Sequence, residues 1–243
     1  MEIRFLGSGD ARGSGGRLQA CILVRSGEEN LLIDCGASSL IAMNRFGVDP
    51  SSLDRVLISH LHGDHFGGIP FLILDGQFAR RTRPLLIAGP AGVEDRIKAS
   101  MEIFFPGSSK VERKFSLSFA ELTPLSETTL GSFRVTPFEG LHPSGSSSLA
   151  LRVKVEGKIL AYSGDTEWTE ALLDVARDAD LFISEAYYFE KKIKYHLDYR
   201  AILDHLPRLG CRRIILTHMS QDLLSRLGEV KLDWAEDGKR IVL

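Results

Sequence analysis

The stretch RVLISHLHGDHFGGIP, Arg55 to Pro70, constrains the fold of this chain more than any other. The apolar run Val56-Leu57-Ile58 reads as a buried strand, and His60, His62, Asp64 and His65 follow it at once. Side chains two apart on an extended segment leave the same face, so His60 and His62 can address one point. Gly63 lets the backbone turn, and Asp64 and His65 would begin the next helix; Gly67-Gly68 permits close backbone approach there. An imidazole pair from the strand end makes half of a metal site, and a carboxylate and an imidazole from the turn can serve a second metal beside it.

Such a cluster needs further ligands, and the sequence offers them where other strands end. His142 lies in EGLHPSGSSS, Asp165 follows the apolar strand of ILAYSGDT, and His218 follows that of RRIILTHMS. A lone histidine at a strand end is usually structural. Three such residues in company with HxHxDH reverse that expectation, because strand ends are where α/β folds gather their sites. Asp34, in LLIDCG, is a fourth strand-end residue and suits the role of a carboxylate holding an imidazole N–H.

The order of elements sets the architecture. Strands are expected at Ile3–Leu6, Cys21–Arg25, Leu31–Asp34, Val56–Ser59 and Leu85–Ala88. Later ones are expected at Phe115–Leu122, Gly131–Pro137, Ser148–Val155, Lys158–Tyr162, Leu181–Ser184 and Arg213–Thr217, with a hairpin turn at Glu156-Gly157. Helices are expected over Ser38–Phe46, from the histidine cluster toward Phe78, and over Ala91–Phe105, Glu167–Ala176 and Tyr199–Leu209. Hairpins interspersed with helices in both halves predict two sheets packed face to face with helices outside. A doubly wound parallel sheet would need stricter alternation. With no repeat, low-complexity tract or linker, one domain over residues 1–243 is expected.

Charge and composition exclude several classes. A net charge of -2 and a pI near 6.4 do not support a generic nucleic-acid surface, although they leave room for a local basic groove. No apolar run approaches the roughly 20 residues that span a bilayer. The opening MEIRFLGSGD lacks a basic flank followed by an apolar stretch, so no secretory leader is expected. Cys21, Cys35 and Cys211 are scattered and odd in number, which suits a reducing, cytoplasmic setting.

LLIDCG, SHLHGDH, the late His142, AYSGDT and ILTHMS, in that order, resemble the five motifs of the metallo-β-lactamase superfamily. The resemblance covers nearly the whole chain. It implies an αββα four-layer sandwich with two mixed sheets, and a binuclear metal site at one edge of them. It implies His60, His62 and His142 on one ion, Asp64, His65 and His218 on the other, and Asp165 bridging. Nitrogen and oxygen ligands without thiolate suit zinc, and also manganese or iron.

Within the superfamily, FLGSG, SHLHGDHFGGIPFLI and ISEAYY…KKIKYHLDYRAILDH…ILTHMS look most like the tRNA 3′-processing endonuclease (RNase Z) branch of phosphodiesterases. His62, where oxygen-reducing relatives carry glutamate, favours hydrolysis, and Asp165 argues against a true β-lactamase. That branch has a histidine before the last ligand that assists the leaving group, and an acidic residue that orients it. By resemblance these are His196 and Glu185; a surface histidine and a solvated glutamate are the plainer alternatives. The match departs in two places. Leu197-Asp198 stand where the branch usually has Ser-Thr, and the interval from His142 to Asp165 holds one hairpin with no room for the arm that grips tRNA. The short interval is closer to relatives that open cyclic phosphodiesters.

The resemblance therefore implies hydrolysis of a small or cyclic phosphodiester, or of an RNA 3′ end, with folded tRNA disfavoured. The attacking species would be a metal-bound hydroxide, since a metal pair about 3.5–4 Å apart acidifies a shared water. His196 would protonate the leaving oxygen, Glu185 would orient it, and Asp64 could accept the proton of the attacking water. The alternative is a lactonase or other C–O/C–N hydrolase on the same fold. A homodimer is implied by resemblance alone.

Other stretches carry plainer expectations. Gly7–Gly16 (GSGDARGSGG) is expected to be a mobile rim loop, with phosphate contact by Ser8 the less favoured reading. Arg80-Arg81-Thr82-Arg83 and Lys191-Lys192-Ile193-Lys194 are expected to be solvated, with a phosphate clamp as the alternative for the lysines. His205 is expected on a helix surface, and Phe66, Ile69, Leu72 and Ile73 in the core.

Overall fold

The computed structural model describes residues 1–243. Short apolar runs separated by turn residues form two seven-stranded sheets. The first contains β1 (Glu2–Gly7), β2 (Cys21–Ser26), β3 (Glu29–Ile33), β4 (Arg55–Leu57), β5 (Leu85–Gly89), β6 (Leu117–Glu121) and, at the far end of the chain, β14 (Arg240–Val242). The second contains β7 (Thr128–Leu130), β8 (Phe133–Gly140), β9 (Ser148–Val155), β10 (Lys158–Tyr162), β11 (Leu181–Glu185), β12 (Ile214–Thr217) and β13 (Asp233–Trp234). Spatial orders are β14-β1-β2-β3-β4-β5-β6 and β13-β12-β11-β10-β9-β8-β7.

Each sheet is mixed in the same manner. One half is an antiparallel meander, and the other is parallel: β3 to β6 in the first sheet, β10 to β13 in the second. Alternate residues of the strands face inward and form a core between the sheets, with Phe5, Phe133 and Tyr162 among its largest side chains. The outer face of the first sheet is covered by α1 (Ser39–Arg45), α3 (Ile69–Phe78) and α4 (Val93–Phe104). The outer face of the second is covered by α5 (Ala171–Ala176), α6 (Tyr199–His205) and α7 (Gln221–Leu224). The layers are thus α, β, β, α, as expected, with Phe66, Ile69, Leu72 and Ile73 in the outer core of the first half.

Several sequence expectations need correction. The helix after the histidines is broken in two, α2 (Gly63–Phe66) and α3. At Gly68 the backbone runs so close to Gly36 that a Cβ would stand 2.3 Å from its carbonyl oxygen, and the Gly68 N–H donates to Cys35 O at 2.8 Å instead of to a helical partner. Strands β7, β13 and β14 carry no strong period of their own and are recruited by pairing, β14 onto β1 through Ile3 and Ile241. The helix expected from Glu167 starts only at Ala171, because Glu167 and Trp168 are spent on contacts beside the site. Arg81 is not solvated. It is 4 % exposed, and its guanidinium donates to the carbonyls of Pro50, Leu53, Arg83 and Pro84.

The turn Glu156-Gly157 has φ of 51° and 71°, as a two-residue hairpin turn of this hand requires. No helix is long and apolar enough to cross a membrane.

Candidate metal centre

Parallel strands deliver their carboxyl ends to one edge, and the ionisable residues named above stand there. Asp34 follows β3 and His60 follows β4; Asp165 follows β10, Glu185 ends β11, and His218 follows β12. His142 follows β8, which runs in the same sense as β10 because both are antiparallel to β9. The two sheets are tied together at this edge, Leu149 N–H donating to Ser59 O at 2.9 Å.

Three groups of possible ligand atoms form. His60, His62 and His142 make the first, Asp64, His65, Asp165 and His218 the second, and Asp165, Glu185, His196 and His218 an overlapping third; the atoms of each group lie within 4.8 Å of one another. In the second group His65 Nε2 lies 3.4 Å from His218 Nε2 and 3.3 Å from Asp64 Oδ2. His218 Nε2 lies 3.2 Å from Asp64 Oδ2, and Asp165 oxygens lie 3.4 Å from His65 Nε2 and 3.3 Å from His218 Nε2. Bonds of about 2.0–2.1 Å in a tetrahedral site give ligand edges of about 3.3–3.4 Å, so these side chains enclose room for an ion. In the first group His62 Nδ1 and His142 Nε2 face each other at 2.9 Å. His60 Nε2 and Asp165 Oδ1 are buried with no hydrogen-bond partner, a costly state for polar atoms unless something else satisfies them. The clusters suit a binuclear metal site.

The far nitrogens of the imidazoles are held by the fold. His65 Nδ1 bonds to Asp34 Oδ2 at 2.7 Å, and the same carboxylate accepts from Ser59 N, Ser59 Oγ and Tyr162 Oη. His142 Nδ1 donates to Tyr195 O at 2.7 Å, and His60 Nδ1 pairs with Ser59 Oγ at 3.1 Å. Each of these bonds leaves the other ring nitrogen turned toward the cluster. Asp34 and His218 both have φ of 57° and Tyr195 has 72°, a strained left-handed backbone that persists where the surroundings dictate it.

Electrostatics point the same way. Burial pushes the Asp64 and Asp165 carboxyls up, but adjacent imidazoles outweigh it and hold both well below the carboxylate range. Burial lowers His65 and His218, yet the carboxylates around them prevail; His65 is raised well above its ordinary value and His218 to about 9. His60 and His142 are lowered by burial. The cluster therefore calls for positive charge, which a cation can supply in place of protons.

Beside the first two groups stands His196, whose Nδ1 bonds to Glu185 Oε2 at 2.9 Å. Glu185 is not solvated: it is 0 % exposed and also accepts from the backbone of Thr166 and Leu197. His196 lies 3.9 Å from Asp165 and 4.8 Å, centroid to centroid, from His142.

Comparison with known proteins places the chain. A family model described as the anti-Pycsar protein Apyc1 matches residues 1–234. The chain belongs to the Apyc1 family. It is also 26 % identical over 272 aligned positions to the ribonuclease Z of Methanosarcina acetivorans, covering 90 % of this chain and 88 % of that one. Human tRNase Z, short form, superposes with a TM-score of 0.82 at 25 % identity over 100 % of this chain and 99 % of that chain. The metallo-β-lactamase fold protein YhfI from Bacillus subtilis gives 0.80 at 21 %, covering 99 % and 98 %. This member of the Apyc1 family is an RNase Z-like, metal-dependent hydrolase with the metallo-β-lactamase fold.

Other expectations are corrected here. Ser8 is 0 % exposed, and its N–H and Oγ–H both donate to Asp237 Oδ1, so it has no free donor for phosphate. The glycine-rich loop is hydrogen-bonded to the second half of the chain, Gly15 N–H donating to Gln221, the first residue of α7. His205 does lie at the surface end of α6, as expected, where its ring stacks flat on Trp168. Residues that sequence reasoning did not reach are Ser59, Tyr162, Tyr187 and the Tyr195 carbonyl. Tyr187 lies against His196 with centroids 4.8 Å apart and planes at 27°. The carbonyl has no side-chain signature, and an aromatic pair in YY gives no period to read.

Proposed function

We propose that this Apyc1-family chain is a binuclear phosphodiesterase acting on a small or cyclic phosphodiester, or on an RNA 3′ end, through one hydrolase domain over residues 1–243. The single observation that carries the reading is His196, paired with buried Glu185 and set beside the first two ligand groups. Hydrolysis of lactones or amides with good leaving groups has little need of such a residue, whereas an alkoxide leaving from phosphorus needs a proton.

Two divalent ions held by His60, His62, His142 and by Asp64, His65, His218, with Asp165 between them, would supply acidity to water and countercharge to phosphate. Zinc is favoured, since ligand edges near 3.3 Å fit its tetrahedral sites. Water oxygen forms the new P–O bond, and Asp64 is suited to accept its proton. The opposite P–O bond breaks, and His196 Nε2 delivers a proton to the departing oxygen. Glu185 accepts from Nδ1, which keeps Nε2 turned outward and balances the imidazolium before transfer.

A small substrate is supported by the relative's alignment, which at 272 positions is longer than this 243-residue chain; the ribonuclease Z carries insertions that this chain lacks. A homodimer is supported by exposed Phe71, Phe78, Ile103 and Phe104 on α3 and α4. A reducing, cytoplasmic setting is supported by three free cysteines.

The test is hydrolysis of bis-p-nitrophenyl phosphate by zinc- and manganese-loaded protein, beside a chromogenic lactone and a β-lactam. Diester turnover well above both comparators, abolished by Asp165→Ala, is the expected result. A protein that holds two metals and turns over the lactone but not the diester would overturn the phosphodiesterase reading.

A further inference from the structure

The buried imidazoles of the centre have their far nitrogens held, with one exception. Asp34 takes His65 Nδ1, Ser59 Oγ takes His60 Nδ1, and the Tyr195 carbonyl takes His142 Nδ1. His218 Nδ1 is buried and has no hydrogen-bond partner. Across from it stands Glu185 Oε2, at 3.8 Å. The fold explains this meeting. Strands β11 and β12 are parallel neighbours with Glu185 opposite Thr217, so the next residue, His218, leaves the sheet beside the carboxylate. Glu185 Oε1 is held by the backbone N–H groups of Thr166 and Leu197, which leaves Oε2 for side chains. His196 Nδ1 reaches that oxygen at 2.9 Å. The rings of His196 and His218 are nearly parallel, with planes at 12° and centroids 5.9 Å apart, and each has its Nδ1 within 4 Å of the same oxygen.

We propose that Glu185 is a positioning residue shared between a metal ligand and the acid: with the second ion bound, its Oε2 accepts from His218 Nδ1 as well as from His196 Nδ1, and so couples that ion to His196. The inference rests on the binuclear phosphodiesterase reading above. A metal takes a neutral imidazole through one nitrogen, and the ring proton then sits on the other. His218 Nε2 faces Asp64 and Asp165 within the second group, so the proton of a metal-bound His218 sits on Nδ1. A buried N–H needs an acceptor. Closing 3.8 Å to an ordinary N–H···O length of about 2.9 Å asks little of a side chain. Asp34 does the same for His65 on the facing sheet, but its remaining bonds go to Ser59 and Tyr162, neither of which moves a proton in the reaction. Glu185 differs in serving one ligand and one non-ligand. A single oxygen cannot hold two N–H groups as tightly as one, so filling the second site loosens its hold on His196, and removing His196 tightens its hold on His218. The coupling is reciprocal by necessity.

Withdrawal of zinc from the loaded protein by a competing chelator, with cadmium NMR to tell the two sites apart, tests this. Glu185→Gln keeps an oxygen for Thr166 and Leu197 but turns an amide N–H toward the two imidazoles. It is expected to weaken the second ion about 10- to 100-fold and leave the first unchanged. The same loss is expected in a His196→Ala background, while His196→Ala alone should hold the second ion at least as tightly as the native protein. In NMR spectra of histidine-labelled, zinc-loaded protein, His218 Nδ1–H should be protected from exchange, and Glu185→Gln should remove that protection. A loss that vanishes once His196 is absent would show that Glu185 acts only through His196 and would overturn the coupling. Unchanged affinity for the second ion, or equal weakening of both ions, would do the same. Native protein that holds a single zinc would instead remove the binuclear reading itself, and the coupling with it.

Discussion

At the residue scale, the position of His196 depends on two contacts of different kinds. Glu185 fixes its Nδ1 by a hydrogen bond, and Tyr187 lies against its ring. Removing the phenol ring frees rotation of His196, although the same ring also lies 5.9 Å, centroid to centroid, from His218. Tyr187→Ala should therefore lower kcat roughly tenfold for diesters with alkyl leaving groups, a part of the roughly 10²–10⁴ that a fully positioned acid contributes. It should spare bis-p-nitrophenyl phosphate, whose leaving group needs little protonation, and Tyr187→Phe should behave as the native protein. An equal loss on both substrates would show that Tyr187 serves the fold. The thiols give a second residue-scale expectation. Burial pushes Cys35 up to about 12, raises Cys21 well above its ordinary value and raises half-buried Cys211. Thiolate is the reactive form, so a thiol reagent at pH 8 should find only Cys211, slowly, and all three in denaturant.

At the element scale, the break between α2 and α3 aims Asp64 and His65. A regular helix through Gly67-Gly68 would carry that turn away from Cys35 and Gly36, to which it is hydrogen-bonded and closely packed. Gly68→Ala places a methyl 2.3 Å from Gly36 O, and an overpacked backbone contact costs about 1–3 kcal/mol. Lower thermal stability together with lower metal content is expected, read by calorimetry and elemental analysis. Arg81 closes the other end of α3 on four carbonyls. Arg81→Ala leaves buried acceptors without a donor and should cost about 2–4 kcal/mol in denaturant unfolding, with ligand geometry and metal stoichiometry retained.

At the scale of the whole molecule, the ligand groups join the two sheets, so metal and protons compete for the stability of the sandwich. In metal-free protein His218 is raised from 6.5 to about 9, so its contribution is fully present below pH 6.5 and is lost as pH rises through about 9. Asp64 and Asp165 are depressed, so theirs is present above the ordinary carboxylate range and lost as pH falls through their lowered values. Melting temperature in chelator should thus fall between pH 6.5 and 9, and loading with zinc should remove that fall because ions replace the protons. Titration calorimetry in buffers of different ionisation enthalpy should show protons released on binding near pH 7. A melting temperature independent of both pH and metal would contradict this account.

The sequence alone determined the parts that depend on local order. Strand-end residues are legible because an apolar run followed at once by His, Asp or Glu puts a polar group at a sheet edge, and HxHxDH, His142, Asp165 and His218 were found that way. The layer architecture was legible from hairpins mixed with helices. Tertiary structure decided everything carried by pairing or approach. Strands β7, β13 and β14 exist because a neighbour supplies their hydrogen bonds, and Arg81 is buried because carbonyls distant in sequence gather around it. The hydrogen bonds of Asp34 to His65 and of the Tyr195 carbonyl to His142 span 31 and 53 residues. Such contacts leave no period in the chain, since a hydrogen bond requires only that two atoms meet.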